Sequence, residues 1–534
     1  MEPSNERPPL EILNEGIKRM LKVARKFSMN LAAIRLSPGV CATLPAWYHP
    51  SAATCPITNV NTCCILNKHA AKTVADLIKL ANKVMDQTRN TAHSPNQACV
   101  CMECVQERQG GCKNPHACTL EALNRINDIA PKYNPLAFEP HDTLSLTPNR
   151  KARNSDGRSE GEGVLFDLTI TCKDGIQECF RVFTNPNKIM LNPARRCLQR
   201  GTYLDHEDMR VYTDGSCMNN GKMDVKCGSG VWVEDNHPLN KATKIPREKQ
   251  SNQVGEIAVV IIVADTLPNY CKLTIVTDSM YVIEGLTKHL KDWENNGWIS
   301  IKNADLFKRT AYLLKRRSAP TLLEWVKGHC RDRGNKESDT LAKEGVEKTT
   351  PDTLSLHIPI EFNLQGAKLA TLSQALAYNS IQDKHTTAPR EISTRNLDLA
   401  REAIKSLTGS YETDESIWKS IRKCTICLRV QQFLFKAIHS TQMVGGVWLN
   451  IEGYQQRASC SPCGTIENMS HILLSCTTGP ATTIWKLARE LWPHDNIQWP
   501  ELNLGMILGC GCLSAKVENQ EGIEDLPMTR SPPQ

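Results

Sequence analysis

The chain reads Val211-Tyr212-Thr213-Asp214-Gly215-Ser216 where a β-prone apolar run meets an acid and a turn. A second run of this kind ends in Val276-Thr277-Asp278-Ser279. Two further acids, Glu256 and Asp339, fall in or near the first turn of predicted helices. Acids at the ends of strands and helices can converge in a fold, and converging carboxylates are the ligands that Mg²⁺ prefers. The pattern therefore predicts a divalent-cation site.

The apolar pattern around these acids predicts alternating strands and helices. We expect strands at residues 209–216, 226–233, 241–245, 272–277 and 321–326, and helices at residues 252–267, 279–290, 303–316 and 336–346. The resulting order is β-β-β-α-β-α-α-β-α. It predicts an α/β fold with a mixed five-stranded sheet that carries helices on its faces.

The two acid-bearing runs occur with Asn252-Gln253-Val254-Gly255-Glu256, with Lys327-Gly328-His329 and with Asn335-Lys336-Glu337-Ser338-Asp339. Together these phrases resemble the type 1 ribonuclease H family, which cleaves the RNA strand of RNA–DNA hybrids. The resemblance implies a ribonuclease H-like fold, an endonucleolytic two-metal-ion mechanism and 5′-phosphomonoester products. The implied cofactor is Mg²⁺, with Mn²⁺ as an alternative, and the implied substrate is an RNA–DNA hybrid.

The resemblance also implies a role for each catalytic residue. Asp214 would bridge the two ions, Glu256 and Asp278 would hold the ion near the leaving group, and Asp339 would hold the ion that activates water. His329 would assist proton movement or product departure, since imidazole titrates near neutral pH. Taken singly, each of these residues also has an ordinary structural interpretation, such as a turn or a first-turn helix acid. Their joint occurrence in one order favours the catalytic interpretation.

Several polar and aromatic residues match positions through which the family holds its substrate. Small polar groups would read the 2′-hydroxyls of RNA, and the matching residues are Ser216, Asn220, Asn252 and Gln253. Trp293 would line the channel for the DNA strand, with Ser251 and Asn303 near a phosphate pocket. A basic run would add phosphate contacts or form a solvated helix face; it comprises Lys308, Arg309, Lys315, Arg316 and Arg317. Glu284 and His289 depart from the family pattern, which places substrate affinity in question.

The 23 cysteines form clusters that indicate zinc sites or buried thiols. The segment Cys460-x₂-Cys463-x₇-His471-x₄-Cys476 offers three thiolates and one imidazole, a tetrahedral zinc set. It resembles the zinc-binding region that follows ribonuclease H in non-LTR retrotransposon reverse transcriptases. Cys424 and Cys427 are expected in a helical core. A second patch could hold one zinc through four of six candidates, a choice that the sequence leaves open: Cys99, Cys101, Cys104, Cys112, His116 and Cys118.

The chain of 534 residues predicts several domains. Residues 1–150 are an unassigned Cys-rich, mainly helical region, and residues 151–205 are a linker and a β-hairpin around Lys173-Asp174-Gly175. The ribonuclease H domain is expected at residues 206–350 and a connector at 351–395. A helical region with the Cys/His zinc site follows at 396–500, and residues 501–534 are expected to be a largely disordered tail.

Composition narrows the cellular setting and the classes of function. The net charge of +7 permits a nucleic-acid partner without requiring one. The first residues lack an apolar signal core, and no apolar run approaches about 18 residues, so we expect an intracellular protein, nuclear or cytoplasmic, without a membrane partner. The oligomeric state is left open. No Asp-Asp pair occurs, so no polymerase site is recognisable.

Two function classes follow from these observations. The overall resemblance is to fungal retroelement-derived ribonuclease H proteins, so the leading hypothesis is a hybrid-cleaving endonuclease. The alternative is a retroelement-derived nucleic-acid-binding protein with weak or no nuclease activity. Binding without metal-stimulated cleavage would separate the two.

Overall fold

The computed structural model describes residues 14–49, 51, 59–85, 93–137, 144–160, 163–188, 190–196, 204–220, 224–246, 250–328, 332–384, 388–409, 411–492, 499–519 and 522–527. These residues group into two compact units. The first lies within Met1–Ser216, Gly228–Pro246 and Asn252–His385, and the second within Cys217–Cys227, Arg247–Ser251 and Thr386–Gln534. Among the described helices, none has the length and apolar character needed to cross a bilayer.

The strands and helices of the described residues have the following bounds. The strands are β1 (Asn30–Leu31), β2 (Arg35–Leu36), β3 (Val164–Leu165), β4 (Thr171–Cys172), β5 (Phe180–Val182), β6 (Leu204–Met218), β7 (Lys226–Trp232), β8 (Lys241–Lys244), β9 (Cys271–Thr277), β10 (Thr321–Trp325), β11 (Ala367–Lys368), β12 (Ser514–Asn519) and β13 (Gly522–Pro527). The helices are α1 (Glu15–Lys26), α2 (Pro38–Thr43), α3 (Val60–Asn67), α4 (Val74–Met85), α5 (Met102–Gln109), α6 (Pro115–Asn127), α7 (Pro148–Glu160), α8 (Asn252–Thr266), α9 (Met280–Glu284), α10 (Leu290–Asn295), α11 (Ala304–Arg316), α12 (Arg333–Glu347), α13 (Gln374–Lys384), α14 (Glu391–Thr408), α15 (Asp414–Ser420), α16 (Leu428–Ile438), α17 (Gly446–Leu449), α18 (Ala481–Glu490) and α19 (Leu504–Leu508).

The central feature is a sheet of six described strands in the order β3-β10-β9-β6-β7-β8. Strand β9 runs parallel to both β6 and β10, whereas β8 is antiparallel to β7 and β3 is antiparallel to β10. The mixed sheet is observed, and the elements between residues 209 and 346 follow the predicted order with one difference. The helix predicted at residues 279–290 consists of α9, a π-helical segment at Gly285–His289 and α10. The predicted number of five strands is wrong, because the two-residue strand β3 adds a sixth at the edge.

Helices α8 and α12 approach the sheet closely through glycines. A side chain on Gly255 of α8 would lie 3.2 Å from Cα of Gly215 in β6. A side chain on Gly230 of β7 would lie 2.5 Å from the backbone nitrogen of Ala342 in α12. Ala at such positions would force the backbones apart. These contacts fix the first turn of α8 and the middle of α12 against the sheet.

Two predictions for residues 151–205 are wrong. Helix α7 replaces the predicted linker, because Asn154 exchanges hydrogen bonds of 2.8 and 3.2 Å with the backbone of Leu165 and Lys151 pairs with Asp167 at 2.8 Å. The predicted hairpin is absent from the described residues, since β3 pairs with β10, β4 with β2, and β5 with β1 and β11. Gly175 precedes a 3₁₀ turn with a φ of −63° rather than forming a tight hairpin turn.

The regions after residue 350 also differ from the predictions. Within the predicted connector, β11 joins a small sheet with β5, and α13 forms. The predicted disordered tail contains α19, whose Met506 and Leu508 are buried with Ile404 of α14, and the strand pair β12–β13. The apolar residues of α19 therefore form part of the helical core of the second unit. Cys424 and Cys427 are exposed rather than buried in a core, and both precede the first residue of α16.

Candidate active site

The register of two parallel strands brings Asp214 and Asp278 together. Thr213 of β6 pairs with Thr277 of β9. The residues that follow these two threonines are Asp214 and Asp278, and neighbouring strands lie about 4.8 Å apart. Asp278 follows the end of β9, where its backbone carbonyl accepts a hydrogen bond of 3.1 Å from Nε1 of Trp325. The two acids therefore lie side by side on the two neighbouring strands at the centre of the sheet.

Glu256 reaches the same place from near the N-terminal end of α8. Its carboxylate accepts hydrogen bonds from Nδ2 of Asn252, at 2.9 Å, and from the hydroxyl of Ser279. The Ser279 hydroxyl also caps α9 by accepting from the backbone of Val282. Ser279 was not singled out from the sequence, although its place after Asp278 at a helix start is a recognisable signal for an N-cap. It links the position of Glu256 to the end of β9.

Asp339, which lies in α12, is the fourth acid at this site. Together with Asp214, Glu256 and Asp278 it forms what we call the acid group. Its carboxylate forms an ion pair of 2.7 Å with Lys343 one turn later, and it contributes to the electrostatic field at Asp214. The predicted His329 lies outside the described residues. Its neighbour Gly328 passes so close to Asp278 that a side chain there would lie 2.7 Å from Oδ2. The chain segment leading to His329 therefore runs against the acid group.

Without a bound cation, the carboxylates of the acid group repel one another, so the group is electrostatically frustrated. Burial, followed by the negative charge of Asp278, raises the pKa of Asp214 to about 7, and Asp339 and Glu256 contribute further. Burial and the Asp278 charge also raise the pKa of Glu256, against the opposing hydrogen bond from Ser279. Like charges that converge in a partly buried site disfavour ionisation unless a cation is bound. The oxygen-only donor set fits Mg²⁺ or Mn²⁺.

Comparison with known proteins identifies the part of the chain that carries these acids. A family model described as RNase H matches residues 206–347. Ribonuclease H of Paracidovorax citrulli is 33% identical over 145 residues, which are 26% of this chain and 93% of that protein. The chain belongs to the ribonuclease H family. Ribonuclease H1 of Mus musculus is 34% identical over 148 residues, and ribonuclease H of Schizosaccharomyces pombe is 35% identical over 143. The match covers 27% and 26% of this chain, respectively, and about half of each of these relatives (52% and 53%).

The polar residues expected to hold substrate occupy different parts of the ribonuclease H domain. Ser216 is half-buried in β6, Gln253 is half-buried in α8, and Asn252 is exposed beside Glu256. Asn220 and Ser251 belong to segments that group with the second compact unit. Of this set, Asn252 is the one that the described hydrogen bonds join to the acid group.

The aromatic residues of the ribonuclease H domain form a ring cluster around Trp293. Its ring centroid lies 4.8 Å from that of Phe307 and 6.0 Å from that of Trp298. His289 stacks on the same ring, with centroids 5.6 Å apart and planes inclined by 20°. This imidazole therefore forms an aromatic stack at a position where the chain departs from the family pattern. Asn303 has a positive φ of 57° and lies 3.4 Å from the Tyr281 hydroxyl.

The charged residues near this cluster are more fully paired than the sequence indicates. Glu284 forms an i,i+4 ion pair of 3.5 Å with Lys288, which offsets its negative charge. Three members of the predicted basic run are buried, so neither the phosphate-contact nor the solvated-face prediction holds for them. Lys315 pairs with Glu294, Arg309 pairs with Asp265, and Arg317 bonds to the backbone of Cys271.

The second unit gathers Cys460, Cys463, His471 and Cys476 into one group whose ligand atoms all lie within 4.8 Å of one another. The Sγ atoms of Cys460 and Cys476 are 3.7 Å apart, and Cys463 Sγ lies 3.3 Å from His471 Nε2. A turn through Gly464, with a φ of 72°, returns the chain so that the backbone N–H of Cys460 donates a hydrogen bond of 2.8 Å to the carbonyl of Thr465. Four soft and borderline donors around one point fit zinc.

The raised pKa of Asp214 has a consequence for stability. The folded value of about 7 exceeds the ordinary value of 3.8, so between these values the folded protein binds more protons than the unfolded one. Without divalent ions, stability therefore falls as pH rises through this window. We expect Asp214→Asn to raise the free energy of unfolding at pH 8 in EDTA by at most about 4 kcal/mol, since each pKa unit corresponds to about 1.4 kcal/mol.

Thermal unfolding of both proteins at pH 5 and pH 8 measures this difference. The matched control is Asp235→Asn, which removes an exposed acid that pairs with Arg333 at 2.6 Å and should give no gain at pH 8. If Asp214→Asn is less stable than the wild type at pH 8 in EDTA, the acid group is not electrostatically frustrated.

Proposed function

We propose that this protein is a ribonuclease H that cleaves the RNA strand of RNA–DNA hybrids endonucleolytically and leaves 5′-phosphomonoesters. The observation that carries the proposal is the convergence of four carboxylates from β6, α8, the end of β9 and α12. Membership of the ribonuclease H family supports the reaction class. The relatives that carry the name ribonuclease H match this chain over its ribonuclease H domain.

The acid group fits a pair of divalent ions. Asp214, Glu256, Asp278 and Asp339 would hold Mg²⁺ or Mn²⁺, which when bound supplies Lewis acidity at the phosphodiester and neutralises the leaving oxygen. Asn252 and Ser279 orient the Glu256 carboxylate and leave its charge available. Proton movement at the leaving group or product departure is assigned to His329, which immediately follows Gly328.

Recognition of the hybrid is proposed to divide between polar and aromatic residues. Ser216, Asn220, Asn252 and Gln253 would contact 2′-hydroxyls, whose donor and acceptor capacity distinguishes RNA from DNA. Trp293 would face the DNA strand, supported from behind by Phe307. Ser251 and Asn303 would contact a phosphate of that strand.

A cleavage assay with the full chain tests the proposal. The substrate is an RNA strand labelled at its 5′ end and annealed to DNA, with the same RNA in an RNA duplex and the same sequence in a DNA duplex as controls. We expect Mg²⁺-dependent cleavage of RNA in the hybrid and none in EDTA. Tight hybrid binding without cleavage in Mg²⁺ or Mn²⁺ would instead establish the alternative, a binding protein without nuclease activity.

We further propose that the C-terminal group of Cys460, Cys463, His471 and Cys476 binds structural zinc. The tetrad lies downstream of a ribonuclease H domain, an order that supports an origin in fungal non-LTR retroelements. Cys463→Ser is expected to remove one zinc ion per chain and to lower the unfolding temperature of the second unit, because structural zinc contributes directly to folding.

Metal analysis and thermal unfolding check this expectation. Cys424→Ser is the matched control, since Cys424 is an exposed cysteine of the same unit outside the tetrad. Unchanged zinc content in Cys463→Ser would exclude the C-terminal site.

A further inference from the structure

The N-terminal part of the first unit contains two more groups of three thiols and one imidazole. One group comprises Cys64, His69, Cys112 and Cys118, and the other comprises His93, Cys99, Cys101 and Cys104. In each group the four ligand atoms all lie within 4.8 Å of one another. We propose that each group binds one structural zinc ion, so that residues 64–118 form a two-zinc module.

The distances in the second group are those of a tetrahedral site. Nδ1 of His93 lies 3.4 Å from Cys99 Sγ, 3.6 Å from Cys101 Sγ and 3.5 Å from Cys104 Sγ. Zn–S bonds of about 2.3 Å and Zn–N bonds of about 2.0 Å at tetrahedral angles separate sulfur from nitrogen by about 3.5 Å. A single ring nitrogen has one lone pair and cannot accept hydrogen bonds from three thiols at once. A central cation explains all three distances.

The first group has the same spacing. The Sγ atoms of Cys112 and Cys118 are 3.7 Å apart. A disulfide requires about 2.05 Å, whereas two sulfurs on one tetrahedral zinc lie about 3.8 Å apart. His69 Nδ1 lies 3.6 Å from Oε1 of Glu107, and within the described residues its buried Nε2 has no hydrogen-bond partner. A carboxylate facing one ring nitrogen, with the other nitrogen left for the metal, is the usual arrangement around a zinc-bound histidine.

The surroundings of the second group also match a metal site. The other ring nitrogen of His93, Nε2, lies 3.2 Å from Nδ1 of His116. His116, a candidate ligand from the sequence, is therefore an outer partner rather than a member of either tetrad. Cys99 Sγ accepts a hydrogen bond of 3.2 Å from the backbone of Ser94. Backbone donors to sulfur stabilise the thiolate form that zinc requires.

Packing alone does not account for the buried thiols of the second group. In the described residues, the core cluster at this place consists of Cys99, Cys101 and Cys104 alone. Three thiols bury little apolar surface, and a small segment without a sizeable core is commonly stabilised by metal. The ligands of this group lie in sequence between His69 and Cys112 of the other. The zinc of the second group would therefore bind inside the stretch of chain that the zinc of the first group closes into a loop.

Metal analysis of the purified full chain tests the two-zinc module. We expect Cys104→Ser and Cys118→Ser each to lose one zinc ion per chain relative to the wild type. Cys63→Ser is the matched control, because Cys63 is exposed and adjacent to the ligand Cys64, and it should lose none. Comparison with Cys463→Ser separates these ions from the C-terminal one. Iron in place of zinc, or wild-type zinc content in Cys104→Ser and Cys118→Ser, overturns the proposal.

A measurement on the wild type alone guards against variants that fail to fold. X-ray absorption at the zinc edge should give an average of three sulfurs and one nitrogen per ion, with Zn–S near about 2.3 Å. Alkylation followed by mass spectrometry should show the six N-terminal ligand thiols, at residues 64, 99, 101, 104, 112 and 118, protected until a chelator is added. Thiols that react at equal rates before and after chelation would overturn the proposal, as would disulfides between them.

Discussion

Asp278→Asn is expected to lower the rate of hybrid cleavage by at least about 10³-fold, corresponding to about 4 kcal/mol of lost transition-state stabilisation. The physical reason is the register of β6 and β9, which sets Asp278 beside Asp214, so that both carboxylates belong to the proposed cation site. Asparagine keeps the shape of the side chain but removes the charge. The loss should therefore appear as activity rather than as unfolding.

A second readout distinguishes loss of charge from misfolding. The Asp278 charge is the largest electrostatic contribution that raises the pKa of Asp214, so its removal should lower the Asp214 pKa from about 7. Titration of the Asp214 carboxyl by NMR in metal-free buffer measures this change. Asp235→Asn, which alters an exposed ion pair with Arg333, should leave both cleavage and the Asp214 titration unchanged. Cleavage by Asp278→Asn within tenfold of the wild type would contradict the assigned site.

Gly215→Ala is expected to damage both stability and catalysis. The new Cβ would overlap the backbone nitrogen of Glu256 and lie 2.6 Å from the carbonyl carbon of Gly255. Backbone cannot rotate away as a flexible side chain can, so β6 and the first turn of α8 must separate. Overpacking of this kind typically costs about 1–3 kcal/mol, and a shift of about 1 Å at a catalytic group can cost about 10²-fold in rate.

Thermal unfolding and single-turnover cleavage together measure this effect. Gly39→Ala is the matched control, because Gly39 lies in helix α2 of the same unit and a side chain there would meet nothing within 4 Å. We expect the control to be neutral or slightly stabilising, since alanine favours helix over glycine. Equal unfolding temperatures and rates for Gly215→Ala and Gly39→Ala would show that α8 is not held by this contact.

The sequence predicted the sheet core and the four acids for a local reason. Strands such as β9 are β-prone and mostly buried, and an acid directly after such a run indicates the strand end. The meeting of Asp214 and Asp278 follows once β6 and β9 are parallel neighbours. Family resemblance supplied the roles of the acids. Alternation of strand and helix supplied the scaffold.

The features missed by sequence reasoning depend on contacts distant in the chain. Helix α7 has a polar composition that is typical of a linker, and its Asn154 is stabilised by the backbone of Leu165. The N-terminal tetrads combine cysteines of the recognised patch with Cys64, His69 and His93, which lie outside that patch. Spacing alone could not assign these imidazoles, because loop lengths do not determine which ends meet.

The edge strand β3 determines where an isolated fragment of the ribonuclease H domain should begin. Val164 and Leu165 cover the backbone of Leu323 and Leu322 in β10. A fragment restricted to the family-matched residues 206–347 would leave the N–H and C=O groups of β10 bare. Bare edges recruit strands from other molecules. Such a fragment should therefore self-associate in a concentration-dependent way, whereas a fragment that begins before α7 should not. The start of the family match and the start of the segment that completes this sheet edge are therefore different places in the chain.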